Sequence, residues 1–415
     1  MRQNPALASQ AGRKKHTGLT ITLGALTAFG PFATDMYLSG FQAIADDFHT
    51  QISEVQLSLS TFFIGMAIGQ LIYGPLIDKY GRKKPLMLGI FLFTLCSVFA
   101  LIAPDIHLFN GLRFFQAVGG CAGMIISRAV IKDLFDEQEA AQVLSVMMIV
   151  QSLGPILAPV IGGYLFSWCG WQSIFLFMAG FGLLSLYLSL KQVPETLAPE
   201  NRARNQTGIA TAFKTLLCQR SFICPTLAGS FSIATMFVFI SGSPFVLMEL
   251  FDVSQQHYGW LFAINAFGMV ISSQINNRLL KLYSVRTIIQ YAAPLGLAAG
   301  LVLFALRHTD HLIVLMMPLF ICVSMVPVLA ANTTAIAMEN SGKQAGIASS
   351  LVGFIQFAVA GAVSALVGLL HNGTTLPMCG LILIVTALCV LLTFNDLHYH
   401  KRQMKAAHEN HQTLS

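Results

Sequence analysis

The sequence predicts an all-α membrane protein with twelve transmembrane helices in two halves of six, and with both termini in the cytoplasm. Composition, the lengths of the apolar segments and the placement of positive charges lead to this prediction. Hydrophobic residues fill 55% of the 415 positions, charged residues fill only 10%, and the mean hydropathy is +0.68. A soluble domain carries about 25% charged residues. Such a composition is typical of a protein that crosses a membrane many times.

Twelve apolar segments are each long enough to cross the hydrocarbon core of a bilayer, which takes about 20 helical residues. A long polar connection separates the first six segments from the last six. The expected parts are a first bundle over 1–190, a central cytoplasmic loop over 191–220, a second bundle over 221–398 and a cytoplasmic polar tail over 399–415. The predicted spans are 18–42, 54–77, 85–103, 107–132, 138–166, 170–190, 221–248, 257–282, 285–306, 311–337, 343–370 and 375–397.

The positive charges are distributed very unevenly between the two sides of the predicted membrane. With the N-terminus in the cytoplasm, 22 of the 24 Lys and Arg residues fall in cytoplasmic segments. The exceptions are Arg307, in a loop on the opposite side, and Arg113, inside a span. Cytoplasmic loops are enriched in Lys and Arg, so the asymmetry places both termini in the cytoplasm. Because these cations flank apolar spans, we expect no nucleic-acid partner.

The loop between the second and third spans carries the clearest motif in the chain. Its glycines, Gly74 and Gly81, permit close helix contact and a sharp reversal, and its charged pair is Asp78 and Arg82. This pattern resembles the loop signature of major facilitator superfamily transporters. The resemblance implies two six-helix halves that rock around a midplane site. It also implies a cytoplasmic latch of Asp78 and Arg82 that bridges the halves near span 11, with Arg128 as a partner for Asp78.

Two ionisable residues lie inside predicted spans, where charges are costly and usually functional. Burial favours the neutral form of Asp35 and a nearby cation favours its charged form, so this carboxyl group can load and release a proton. The alternative is an Asp at the membrane surface that ends a shorter helix. Arg113 keeps its charge and is expected to be a fixed countercharge or a structural ion-pair partner. With Gln116 it resembles the span 4 signature of the family, although Ala117 replaces a glycine.

The fifth span contains a run of prolines and glycines, which bend a helix and allow other helices to approach closely. A bent membrane helix is the plain interpretation. The run also resembles a motif of facilitator-superfamily exporters that exchange substrate for protons, which favours an antiporter. Its residues are Gly154, Pro155, Pro159, Gly162 and Gly163.

Four further stretches carry a resemblance: Thr34-Asp35-Met36-Tyr37-Leu38, 69–76, 129–135 and Ser243-Pro244-Phe245-Val246. They resemble the Bcr/CflA group of bacterial drug:proton antiporters. One departure from that group is Ser39, which stands where a proline is common, and we expect it to change the bend at the end of span 1.

An exporter of amphipathic drugs needs a large apolar cavity with a few polar groups. Each candidate residue for that cavity could equally serve in helix packing, and those around Asp35 are the strongest. The candidates are Phe32, Met36, Tyr37, Gln116, Met147, Met148, Gln151 and Asn265.

The resemblance implies a proton-coupled antiporter that exports amphipathic drugs across the bacterial inner membrane by alternating access. The expected partners are a small-molecule drug, protons and the lipid bilayer, and the protein is expected to act as a monomer. The sequence shows no phosphate-binding loop, metal-ligand spacing or catalytic cluster, so we expect no cofactor, no metal and no enzymatic activity. Export of a metabolite such as an amino acid or siderophore, and proton-coupled symport, remain alternatives.

Overall fold

A computed structural model describes residues 18–197, 209–339 and 345–413. The described residues form helices and connecting turns, with no strand among them. The chain divides into two compact units, Met1–Gln206 and Thr207–Ser415. The division falls inside the segment that the sequence assigns to the central loop, 191–220.

The first predicted span, 18–42, is broken into four pieces in the structure. Helix α1 covers 18–27, α2 covers Phe29–Asp35, a 3-10 turn covers Met36–Gly40 and α3 covers Phe41–Asp47. Hydroxyl side chains bind nearby carbonyls along this segment. Thr34 Oγ1 donates to the Gly30 carbonyl at 3.0 Å and Ser39 Oγ to the Met36 carbonyl at 3.3 Å. Such bonds compete with regular helical hydrogen bonding, and Pro31 in the same segment has no amide proton to donate.

Five long helices complete the first unit. Gly81, at φ 87°, ends the first of them, and Gly170, at φ 75°, ends the fourth. Two of these helices begin with an aspartate cap, Asp105 on the Leu108 amide and Asp136 on the Glu139 amide, each at 2.8 Å. The helices are α4 (Ile52–Tyr80), α5 (Lys83–Ala100), α6 (Ile106–Leu134), α7 (Glu137–Cys169) and α8 (Gln172–Gln192).

The close packing of α4 on α6 explains how the chain accommodates Ala117 where the family signature of span 4 has a glycine. A Cβ added at Gly65 would lie 2.9 Å from the Cβ of Ala117 and would also collide with the Phe114 carbonyl. The glycine that permits close approach therefore stands on α4, and the methyl group of Ala117 fits against it. Helix contact at this point is retained although the family's glycine is absent.

The second unit contains eight helices and one π-helical segment among its described residues. The first helix lies inside the predicted central loop, and the last extends to Thr413, within the predicted polar tail, 399–415. The predicted tenth span, 311–337, is two helices interrupted at Met325. The elements are α9 (Ile209–Cys218), α10 (Arg220–Pro244), the π-helix Phe245–Leu250, α11 (Gln255–Leu279), α12 (Val285–Ala305), α13 (Leu312–Ser324), α14 (Val326–Glu339), α15 (Ala345–Leu369) and α16 (Leu376–Thr413).

Within the described part of the chain, ten helices are long and apolar enough to cross a membrane. The ten include the pair α13 and α14 as one span of 28 residues, Leu312–Glu339. The two predicted spans that do not meet this criterion are the broken first one and α11. The protein is therefore an all-helical, multi-pass membrane protein.

Candidate functional site

Asp35 lies at the point where the first helix is interrupted. It is the last residue of α2, and the 3-10 turn begins at the next residue. Its side chain is only 3% exposed, and Thr34 Oγ1 donates a hydrogen bond to its Oδ1 at 2.8 Å. None of the ion pairs between described residues includes this carboxyl group. The structure thus buries an acid that forms no ion pair with a described cation.

Arg113 lies inside α6 and is completely buried, within a cage of aromatic rings. Its guanidinium carbon is 4.2 Å from the ring centroid of Tyr37, 4.6 Å from that of Phe62 and 5.7 Å from that of Phe175. The electron-rich faces of aromatic rings attract a cation at these distances. The cage therefore stabilises a charge that water does not reach.

Two oxygen atoms complete the surroundings of the Arg113 guanidinium. Its Nη2 donates to the Ala33 carbonyl at 2.6 Å, and its Nη1 donates to Gln116 Oε1 at 2.5 Å. Ala33 stands two residues before Asp35, so the arginine holds the backbone of the broken helix. The ion pair that the sequence offers as one alternative for Arg113 is not among the ion pairs of the described residues. Its Nε atom is buried and has no hydrogen-bond partner.

The residues around this arginine are bound to two further helices. The Tyr37 hydroxyl lies 2.7 Å from Ser58 Oγ on α4, and Gln116 Nε2 donates to Ser97 Oγ on α5 at 2.7 Å. Met36, Tyr37 and Gln116 are each at most 1% exposed. The sequence predicts these three residues in the substrate cavity, and in this structure they are buried inside the first unit.

The glycine run of α7 packs against the broken helix. A Cβ added at Gly162 would collide with the backbone carbonyl of Met36, and one added at Gly154 would lie 2.7 Å from the Cβ of Pro31. Gly163 is also buried. Pro155 and Pro159 lie within one continuous helix. The run predicted from the sequence therefore contacts the two segments on either side of Asp35.

The other predicted cavity residues are spread over three helices. Phe32 is half-buried, and its ring lies 5.0 Å from that of Phe181. On α7, Met147 is buried, Gln151 is partly exposed and Met148 is 67% exposed. Asn265, on α11 of the second unit, is fully buried, with its Nδ2 bound to the Leu261 carbonyl at 3.0 Å. Phe32, Met148 and Gln151 thus remain accessible.

The predicted latch forms a compact ion-pair cluster at the end of α4. Arg82 binds Asp78 through Nη1 and Asp133 through Nε, both at 3.0 Å, and also donates to the Ile77 carbonyl at 2.8 Å. Arg128 is exposed and takes part in none of the described ion pairs. Asp78 is thus bound to Arg82, and the additional member of the cluster is Asp133.

Sequence reasoning missed Asp133 as a site residue although it stands in a stretch, 129–135, that carried the family resemblance. A carboxylate directly after the fourth span, on the same side as a basic loop, was the available signal. Ser58 and Ser97 gave no such signal, because buried serines are common in membrane helices. The described residues contain no group of three or more His, Cys, Asp or Glu residues that could hold a metal ion.

Comparison with known proteins agrees with this architecture. The family model described as Major Facilitator Superfamily matches residues 23–365. The chain is 35% identical to the uncharacterised MFS-type transporter YdgK of Bacillus subtilis (strain 168) over 390 residues, which cover 92% of this chain and 96% of that protein.

Two further relatives carry names related to resistance. The bicyclomycin resistance protein homolog of Haemophilus influenzae (strain ATCC 51907 / DSM 11121 / KW20 / Rd) is 32% identical over 90% of this chain and 93% of its own length. The multidrug resistance protein MdtL of Salmonella paratyphi B (strain ATCC BAA-1250 / SPB7) is 30% identical over 80% of this chain and 83% of its own length. The first of these two names confirms the resemblance to the Bcr/CflA group.

A solved structure shows the same fold. The crystal structure of a D-xylose-proton symporter matches with a TM-score of 0.70 at 16% identity, over 91% of this chain and 96% of that one. Membership of a transporter family identifies a transport protein rather than an enzyme. The chain belongs to the major facilitator superfamily of membrane transporters.

Proposed function

We propose that this protein is a proton-coupled antiporter that exports amphipathic drugs across the bacterial inner membrane by alternating access. The names of the relatives support the drug substrate, since one is a bicyclomycin resistance protein homolog and another a multidrug resistance protein. The substrate is a small molecule, the coupling ion is the proton, and the working unit is a monomer in the lipid bilayer.

The observation that carries the proposal is the position of Asp35. Its carboxyl group is 3% exposed, has no ion-pair partner among the described residues and lies at the break in the first helix. A carboxylate buried in this way is costly when charged, and either a proton or a cationic drug relieves that cost. Proton and drug therefore compete for the same group, which is the requirement for exchange.

The transport cycle follows from this competition. The charged Asp35 accepts a drug from the cytoplasm, the two halves change their orientation, and a periplasmic proton displaces the drug. The neutral, empty carrier then returns. Arg113 keeps its charge throughout, because its cage of rings and oxygens does not depend on a titrating partner. The proton supplies about 1.4 kcal/mol per pH unit and about 2.3 kcal/mol per 100 mV for each charge moved.

We further propose twelve spans with both termini in the cytoplasm. Ten helices meet the length and hydropathy criterion. The broken first helix and α11, of 25 residues, supply the other two, because 25 helical residues extend about 37 Å. The distribution of 22 of 24 cations onto one side supports this topology and the assignment to the inner membrane.

The proposed exchange is tested by measuring proton release when a candidate drug is added to the detergent-purified protein. The wild type is expected to release protons, and Asp35→Asn to release none, because a carboxamide does not ionise near neutral pH. Asp46→Asn is the matched control, since Asp46 lies on α3 and is exposed. We expect it to release protons like the wild type.

Equal release from the wild type and Asp35→Asn would place the coupling site elsewhere. The direction of coupling needs a second measurement, in proteoliposomes loaded with drug. An outward drug gradient acidifies the lumen only if drug and proton move in opposite directions. Alkalinisation of the lumen would instead indicate symport.

A further inference from the structure

The turn that carries Arg82 is held by a carboxylate from a distant part of the first unit. Glu195 follows α8, and its Oε1 accepts from the Arg82 backbone amide at 2.8 Å while its Oε2 accepts from the Lys83 amide at 3.2 Å. Arg82 is the N-cap residue of α5 and Lys83 its first residue, and the Arg82 side chain makes no capping hydrogen bond of its own. One carboxylate thus satisfies two amides that a helix start leaves without intrahelical partners.

Gly81 makes room for this carboxylate. A Cβ added there would collide with both oxygens of Glu195, and φ at this residue is 87°, a conformation that other residues rarely adopt. Gly81 therefore has two roles, because it adopts the backbone conformation of the turn and leaves space for the Glu195 carboxylate. The negative charge also lies at the positive end of the α5 helix dipole, which favours it there.

A second contact brings the next residue, Thr196, to the end of α6, where the carboxylate partner of Arg82 lies. Thr196 Oγ1 donates to Asp133 Oδ2 at 2.6 Å, and that oxygen also accepts from Arg82 Nε at 3.0 Å. In addition, Lys83 Nζ donates to the Leu190 carbonyl at 3.0 Å. The segment after α8 therefore contacts the backbone of the arginine and also its carboxylate partner.

We propose that Glu195 is the positioning residue of the cytoplasmic latch. It fixes the backbone of Arg82 so that the guanidinium reaches Asp78 and Asp133 together, and Thr196 orients Asp133. The latch itself rests on the proposed function. The backbone contact between Glu195 and the α5 amides does not, so the two can be tested separately.

Hydrogen exchange of the purified full-length protein, read by mass spectrometry, reports on the backbone contact directly. In Glu195→Ala the amides of Arg82 and Lys83 should exchange about tenfold faster, because each loses a hydrogen bond to a charged acceptor. Glu195→Gln keeps one acceptor oxygen and should give an intermediate rate. Glu54→Ala, at the opposite end of α4, is the matched control and should leave both amides unchanged. Exchange inside α5 checks that the variants are folded.

Drug efflux from cells or vesicles then tests the positioning role. Glu195→Ala should lower efflux in the wild-type background and add no further loss to Arg82→Ala, because both changes act on the same contact. Unchanged exchange at Arg82 and Lys83 in Glu195→Ala would overturn the capping role. If the variant with both Glu195→Ala and Arg82→Ala lost efflux activity by the product of the two single losses, Glu195 would act independently of Arg82. That result would overturn the positioning role. An absence of drug efflux in the wild type would count against the proposed function. It would not affect the hydrogen-exchange result for the amides of Arg82 and Lys83.

Discussion

At the scale of single residues, the least expected feature is the charge of Arg113. A buried charge is usually paired with an opposite one, yet no described ion pair includes this arginine, and its neighbours are rings, a backbone carbonyl and an amide oxygen. A planar guanidinium can stack on rings and donate in its plane at the same time. A compact ammonium group cannot do both. The shape of the cation therefore matters as much as its charge.

We predict that Arg113→Lys destabilises the protein by about 2–4 kcal/mol, because hydrogen bonds from a charged donor to Gln116 and Ala33 are lost or weakened. Thermal unfolding of the purified protein measures the effect. Arg307→Lys is the control, since Arg307 is partly exposed and donates to the Phe304 carbonyl. It should change stability by less than about 0.5 kcal/mol. If Arg113→Lys and Arg307→Lys unfolded at the same temperature, the rings and oxygens around Arg113 would not stabilise the protein.

The sequence was sufficient to select Asp35 and Arg113, because a charge inside an apolar run is visible without a structure. It was not sufficient to find their partners. Tyr37, Phe62 and Phe175 lie on three different elements, and aromatic residues are frequent along all of the spans. Which rings face the arginine depends on how the helices pack, and no periodicity within one helix contains that information.

At the scale of elements, the span lengths were predictable from the apolar runs, whereas the interruption of the first helix was not. The interrupted segment contains Pro31, which has no amide proton, and hydroxyls bound to backbone carbonyls, such as Thr34 to Gly30. Ser and Thr occur in many unbroken membrane helices, so their presence alone does not predict a break. Asp35, the proposed coupling residue, lies at that break.

We predict that Gly162→Ala disturbs the segment around Asp35. The new methyl group would collide with the Met36 carbonyl, which belongs to backbone and cannot rotate away. Overpacking of this kind costs about 1–3 kcal/mol, more than the gain of up to about 1 kcal/mol from replacing glycine in a helix. We expect a lower unfolding temperature and a loss of drug-dependent proton release.

The control for this change is Gly180→Ala on α8, where an added Cβ meets no atom within 4 Å. This variant should be as stable as the wild type or slightly more stable, because alanine favours the helix. If Gly162→Ala behaved in the same way as Gly180→Ala, the packing of α7 on the broken helix would not be important for the site.

At the scale of the whole molecule, the second half repeats the first more clearly in structure than in sequence. Its loop between α11 and α12 lacks the aspartate and glycines of the motif. Nevertheless Arg286, at the start of α12, forms an ion pair with Glu339, at the end of α14. The distance from Arg286 Nη1 to Glu339 Oε2 is 3.6 Å. Arg82 and Asp133 hold the corresponding positions in the first half. The repeat is conserved as an ion pair between two helix ends, which a comparison of motifs does not detect.

Two native cysteines allow a test of the proposed topology without new reporter residues. Cys169 ends α7, Cys218 ends α9, and both are exposed. Only one proposed span, α8, lies between them, so they should face opposite sides of the membrane. A membrane-impermeant maleimide should label Cys169 in spheroplasts and Cys218 in inside-out vesicles. The variants Cys169→Ser and Cys218→Ser identify which thiol reacts.

Labelling of both thiols from one side would mean that α8 does not cross the membrane, and the division into six and six would fail. Labelling on opposite sides but in the reverse order would keep the spans and invert the orientation. The second result would contradict the inference from the distribution of Lys and Arg, because 22 of 24 cations would then face the periplasm. The proposed direction of transport would be inverted with it, since the latch of Asp78 and Arg82 would also face outward.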